Sequence, residues 1–290
     1  MFLSGMHTKS SFHHGVTVTS YEANSFAVKF NNSGVRVLVD PWLVGELVFF
    51  EQDWLYKGKK RVLNGPGKVN IDAIAAETDV VVITQYLPDH CHLPTLSKLP
   101  KNLPIIANPG AFDLIQSLGF SKLQQLDHGQ TLKVADGRLE VTATEGALVG
   151  PPWSKRQNGI LMREVATKTE DGDAASLYYE AHCDFVESSL KNLGKVDVVI
   201  SPVKTTLLGN ASAGYPLVMG DLNIMKLISL LRPKVLVPLL NAEIDQEGPL
   251  SSIVVDRGDY QAVTKQITSA QPETRVEFPA PPGEAFAVAL

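Results

Sequence analysis

The segment Thr84-Gln85-Tyr86-Leu87-Pro88-Asp89-His90-Cys91-His92 puts a carboxylate, two imidazoles and a thiol at four consecutive positions, directly after an apolar run. Carboxylate oxygen and imidazole nitrogen are donors for zinc, manganese or iron, and adjacent residues on a loop can converge where residues inside a strand diverge. A second cluster, His182-Cys183-Asp184, stands in the same relation to the run Ser176 to Glu180. A His-Asp pair at a strand end can also be a hydrogen-bonded loop anchor. Cys91 and Cys183 leave three readings open: metal ligands, a redox pair, or small buried hydrophobes.

Other residues frame these clusters. Asp40-Pro41-Trp42 offers an acid able to orient a ligand and an aromatic wall for a substrate. Trp153, in the stiff stretch Gly150-Pro151-Pro152-Trp153, is a second wall candidate, and Lys204 is a cation for an anionic group or a salt-bridged surface lysine. His128-Gly129 reads as a turn.

Both clusters need strands to hold them. Val16 to Tyr21, Ser25 to Phe30 and Val35 to Val39 read as an antiparallel meander, and the stretch from Trp42 to about Gly67 as a long loop. Strand and helix then alternate: a helix near Ile71 to Glu77, the strand Asp79 to Thr84, a helix after His92, the strand Pro104 to Ala107 and a helix Ala111 to Leu118. Alternating polar and apolar residues return from Lys122 to Thr144, in Gly159 to Ala166 and in Ser176 to Glu180, with a turn at Glu170-Asp171-Gly172-Asp173. The end resumes with Val196 to Ile200, a helix Asp221 to Leu231, the strand Lys234 to Leu240, a helix Tyr260 to Ser269, and strands Arg275 to Phe278 and Ala285 to Leu290. Meander, α/β, meander, α/β predicts an α/β fold of four layers, an αββα sandwich, as one domain over 16–290. Residues 1–15 read as a flexible leader or tag remnant.

Leu38-Val39-Asp40-Pro41-Trp42, Thr84 through His90, the turn Asp127-His128-Gly129-Gln130-Thr131 and the strand entering His182 resemble the metallo-β-lactamase superfamily. The likeness is nearest to its ascorbate-6-phosphate lactonase-like branch, in a group from cyanobacteria and plastid-bearing organisms. The resemblance implies the metallo-β-lactamase fold and a His-x-His-x-Asp-His motif serving two metals. Here Gln85 and Leu87 stand where the first two His belong, and the last family His falls near Asn241. It therefore implies a site for one divalent ion (Zn, Mn or Fe) on Asp89, His90 and His182, with Cys183 or His92 as further ligands. Asp89 doubles as proton acceptor, and Trp42, Trp153, Lys204 and Asn241 face the substrate. The expected activity is hydrolysis of an ester, lactone, amide or phosphodiester. The alternative is a non-catalytic protein that binds a small ligand or regulates.

Bulk composition narrows the classes. The 290 residues are 44% hydrophobic, and 26 Lys+Arg against 31 Asp+Glu give a formal charge of −5, so no broad basic surface favours nucleic acid. Apolar runs such as Val80-Val81-Val82-Ile83 fall far short of the roughly 20 residues that span a bilayer, which predicts a soluble chain without a membrane partner. Two cysteines are too few for a disulfide scaffold. A reducing compartment follows, and the resemblance adds cytoplasm or plastid stroma. The expected partner is a small molecule, and a homo-oligomer stays open.

Overall fold

The computed structural model describes residues 14–49, 51–165, 174–209 and 214–290. Two seven-stranded sheets dominate. The first runs Ala285–Ala289, Gly15–Ser20, Phe26–Phe30, Arg36–Val39, Val80–Ile83, Ile105–Ala107 and Leu123–Gln125 from edge to edge. The second runs Arg275–Val276, Val235–Pro238, Val198–Ser201, Ser176–Tyr179, Asn158–Glu164, Leu139–Glu145 and Thr131–Val134. In each sheet the hairpin strands pair antiparallel and the strands of the helix-containing stretches pair parallel.

Alternation of side chains sorts the apolar residues into layers. Val28, Val37, Val80 and Val82 of the first sheet meet Val141, Tyr179, Ile200 and Val237 of the second in the central core. Val81, Ile83 and Ile105 turn outward, under the helices Ile71–Ala76, Leu93–Leu96 and Pro109–Ile115. Val199 and Leu236 turn outward under Glu187–Leu190, Gly220–Leu231 and Tyr260–Ala270. Strands buried on both faces explain the unbroken Val80-Val81-Val82-Ile83 run, each side chain contributing about 1.5–3 kcal/mol on burial. The expected αββα sandwich is the observed architecture.

Helix boundaries follow local chemistry. Asn70, Asn108 and Asp259 accept the backbone N–H three residues on and start their helices, and Arg232 in left-handed conformation (φ 47°) ends Gly220–Leu231 ahead of Pro233. The segment expected as one long loop instead contains the strands Leu47–Val48 and Lys57–Lys60, which pair with Ile244–Glu247 in a small sheet. Another small sheet holds Tyr215–Met219, Thr205–Leu208 and Val254–Arg257. The partner of Lys57–Lys60 lies nearly two hundred residues away in sequence, beyond the reach of any local period. The expected leader falls outside the described residues up to position 13, as does the whole of the turn Glu170 to Asp173.

Candidate functional site

The strands Arg36–Val39 and Val80–Ile83 are parallel neighbours, and both end at the same edge of the first sheet. Asp40 leaves the first of them with φ 43°, a left-handed conformation that turns its carboxylate across to the second strand. There it is fully buried and accepts four bonds. Oδ1 takes the Thr84 backbone N–H at 2.8 Å, and Oδ2 takes the Thr84 hydroxyl at 2.7 Å, His90 Nδ1 at 2.7 Å and the Tyr179 hydroxyl at 3.1 Å. The acceptor holds a proton on His90 Nδ1, so that the neutral ring presents its lone pair on Nε2.

His182 comes from the second sheet. Its Nδ1 donates to the Leu217 carbonyl at 2.7 Å, so its Nε2 is also unprotonated, and the two Nε2 atoms face each other at 3.4 Å with the rings near parallel. Asp89 Oδ2 stands 3.5 Å from His90 Nε2. Asn24 closes the group: its Nδ2 donates to Asp89 Oδ2 at 2.8 Å and lies 3.1 Å from His90 Nε2. Asp89 Oδ1 and Asn24 Oδ1 are buried without a partner. Glu180 supports the His182 loop from below, its Oε2 accepting the backbone N–H groups of His182 and Asp184, both at 2.9 Å.

The electrostatics follow from burial and neighbouring charge. Burial pulls the His90 pKa down, but the Asp89 and Asp40 carboxylates outweigh it and hold the value above that of an ordinary imidazole. Burial and the adjacent His90 push His182 the other way. Glu180, fully buried, is raised to about 8 chiefly by desolvation.

The donor chemistry suits a metal ion. Metal-binding imidazoles present one nitrogen and donate the other N–H to a carboxylate or carbonyl, as both do here. In a tetrahedral site with bonds of about 2.0–2.1 Å, neighbouring donors stand about 3.3–3.4 Å apart, close to the 3.4 and 3.5 Å seen here. Nonetheless, among the described residues no group of three or more His, Cys, Asp or Glu side chains is arranged to hold a metal as it stands. Two imidazoles and a carboxylate converge, and the Asn24 amide nitrogen lies against them.

Of the residues expected at the site, Asp89, His90 and His182 come together. His92 does not. It caps the helix Leu93–Leu96, with Nδ1 at 2.9 Å from the Thr95 hydroxyl and Nε2 at 3.4 Å from the Glu46 carbonyl, and burial lowers its pKa to about 4. The Cys183 thiol packs into the apolar layer beneath Gly220–Leu231, while Cys91 lies in the layer on the opposite outer face. Both are free thiols in separate clusters, so neither a Cys91-Cys183 bridge nor a Cys183 ligand fits this arrangement. Trp42 is wholly buried in a satellite cluster with Leu47, Tyr56 and Ile244 rather than walling a substrate cleft. Trp153 is 85% exposed. Lys204 is paired with Glu243 at 3.0 Å and lies over the Tyr260 ring, which satisfies the salt-bridge reading. Asn241 donates to the Ala181 carbonyl at 3.0 Å, pinning the loop that carries His182.

Nothing in the sequence marks Asn24 or Tyr179 as members of the site. Asn24 sits in the turn Glu22-Ala23-Asn24-Ser25, whose polar residues look like ordinary turn formers. Glu180 carried a usable signal, a lone carboxylate at the end of the apolar strand Ser176–Tyr179.

The profile of the Beta-lactamase superfamily domain matches residues 17–240. No curated protein matches the chain. Among solved structures, a metallo hydrolase from the hyperthermophilic archaeon Ignicoccus hospitalis is 18% identical, with a TM-score of 0.61 over 95% of this chain and 99% of that one. An isothiocyanate hydrolase from Delia radicum gut bacteria is 17% identical, with a TM-score of 0.64 over 94% and 99%. A possible metal-dependent hydrolase from Veillonella parvula is also 17% identical, with a TM-score of 0.64 over 94% and 100%. At these identities the likeness is one of fold. Among the described residues no helix is long and apolar enough to cross a membrane.

Proposed function

Because the chain belongs to the β-lactamase superfamily, and because two imidazole lone pairs face each other beside a carboxylate, we propose that it is a hydrolase using one divalent metal ion held by His90, His182 and Asp89. The facing Nε2 atoms carry the proposal. Two such lone pairs at 3.4 Å repel unless a proton or a cation lies between them, and both rings have their other nitrogen committed to an acceptor.

When bound, such an ion supplies Lewis-acid polarisation and water activation near neutral pH. The chain's own groups do the rest. Asp40, itself oriented by Thr84 and Tyr179, keeps the His90 proton on Nδ1. Leu217 and Asn241 fix the ring and the loop of His182. Asn24 anchors Asp89 Oδ2, and the buried, unpartnered Oδ1 is the proton acceptor the site offers. The substrate class is an ester, lactone, amide or phosphodiester, with the lactonase-like resemblance favouring a cyclic ester.

One observation favours a second reading. The Asn24 amide nitrogen touches both His90 and Asp89, so the cluster is partly satisfied by hydrogen bonds alone, as in a descendant that keeps the fold for binding or regulation. Elemental analysis of protein purified without chelator separates the two. Hydrolase function requires near-stoichiometric metal that is lost in Asp89→Ala and in His182→Ala. A parent protein that holds no metal, and takes up none of Zn, Mn or Fe on titration, establishes the second reading instead.

A further inference from the structure

A cleft of about 770 Å³ is lined among others by Leu43, Lys60, Leu63, Val69, Asn70 and Lys98. None of Asn24, Asp40, Asp89, His90 and His182 lines it. In the strand Lys57–Lys60, Lys57 and Lys59 turn outward to Glu46 and Glu247, while Lys60 turns inward opposite Ile244. Lys60 is 4% exposed, and its amine has no hydrogen-bond acceptor. Its neighbour is the Trp42 ring, 5.3 Å from Nζ to the centroid. The adjacent acid, Glu22, is already committed: its carboxylate accepts the backbone N–H groups of Arg61, Val62 and Leu63 at 2.7, 3.0 and 2.6 Å.

A buried lysine without an ion-pair partner is rare, because removing an ammonium from water is costly. The neutral amine is the cheaper form here, and it is also the nucleophilic one. From this geometry we propose that the cleft takes a small molecule bearing an aldehyde or ketone and holds it as an imine on Lys60. Burial lowers the Lys60 pKa to about 7, against a smaller opposing effect of Glu22, so a large share of the amine is neutral at neutral pH. The side chain swings from Trp42 into the cleft it already lines, and the Nζ lone pair attacks the carbonyl carbon. The carbonyl oxygen takes up a proton, then leaves as water with the second amine proton as the C=N bond forms, with no change of oxidation state. Leu43, Leu63 and Val69 supply an apolar wall for the body of the ligand, and Asn70 and Lys98 a polar one. The proposal is independent of any metal at His90.

Reductive labelling tests it on the full native chain. Butanal with cyanoborohydride near neutral pH traps an imine as a butyl adduct, located by mass spectrometry of peptides. Lys60 is expected to label at least about tenfold faster than the exposed Lys133 and Lys155, and this preference is expected to vanish when the chain is unfolded in urea. Lys60→Arg, which forms no imine, is expected to lose that adduct alone. Labelling of native Lys60 slower than in urea would mean the amine is merely buried and would overturn the proposal, as would an unchanged adduct pattern in Lys60→Arg.

Discussion

Replacing Lys60 by Met should make the protein more stable at neutral pH and remove a pH dependence that the parent shows. In the folded chain the amine titrates at about 7, against 10.5 for an ordinary lysine, and burial is the main cause. A depressed lysine means that the unfolded chain binds more protons than the folded one between about pH 7 and 10.5. Stability contributed by this group therefore rises with pH across that window and is lowest at and below its start. Integrating the two titration curves gives a gain of about 2 kcal/mol between about pH 7 and 9, at about 1.4 kcal/mol per pH unit where the difference is one full proton. The charged and titratable groups facing Lys60 are Glu22 and His92, and His92, lowered to about 4, is already neutral over this range. Urea unfolding followed by circular dichroism at several pH values, on parent and Lys60→Met, measures the slopes. Other lysines and tyrosines contribute equally to both proteins, so the difference between the curves isolates Lys60. Parallel curves between about pH 7 and 9 would refute a neutral buried amine.

Three further outcomes are expected. Asp40→Asn removes the charge that accepts from Thr84, His90 and Tyr179, so urea unfolding should show a loss of about 2–4 kcal/mol, and metal titration should show affinity about 10–100-fold weaker than in the parent. Glu22→Ala leaves three backbone N–H groups without their acceptor and should cost about 2–3 kcal/mol by the same measurement, a loss under about 0.5 kcal/mol counting against the assignment. Burial raises the thiol pKa of Cys91 to about 12 and that of Cys183 well above an ordinary cysteine, so neither should react with a thiol reagent in the native protein, and both should titrate after unfolding under non-reducing conditions.

Much of the fold is legible along the chain because its determinants are local. Val80-Val81-Val82-Ile83 carries no alternation because a parallel strand between two layers is buried on both faces, and Asn70, Asn108 and Asp259 mark helix starts by their own side chains. The sequence also pointed to Asp89, His90 and His182, which the fold brings together, since donors that follow strands gather at strand ends, and it marked Asp40 as a residue able to orient a ligand. It could not say which donors share a point. His92 and His90 are two residues apart, yet His92 turns to cap a helix while His90 turns to Asp40, a choice made by Thr95 and by a strand fifty residues upstream. Cys183 adjoins His182 and still faces the opposite side of its sheet, toward the helices. The small sheet that carries the unpaired Lys60 depends on Ile244–Glu247, nearly two hundred residues away in sequence, and the place of the amine depends on Trp42. Composition and period fix which face of a strand is apolar. Only tertiary packing decides which lone pairs meet and which amine is left without a partner.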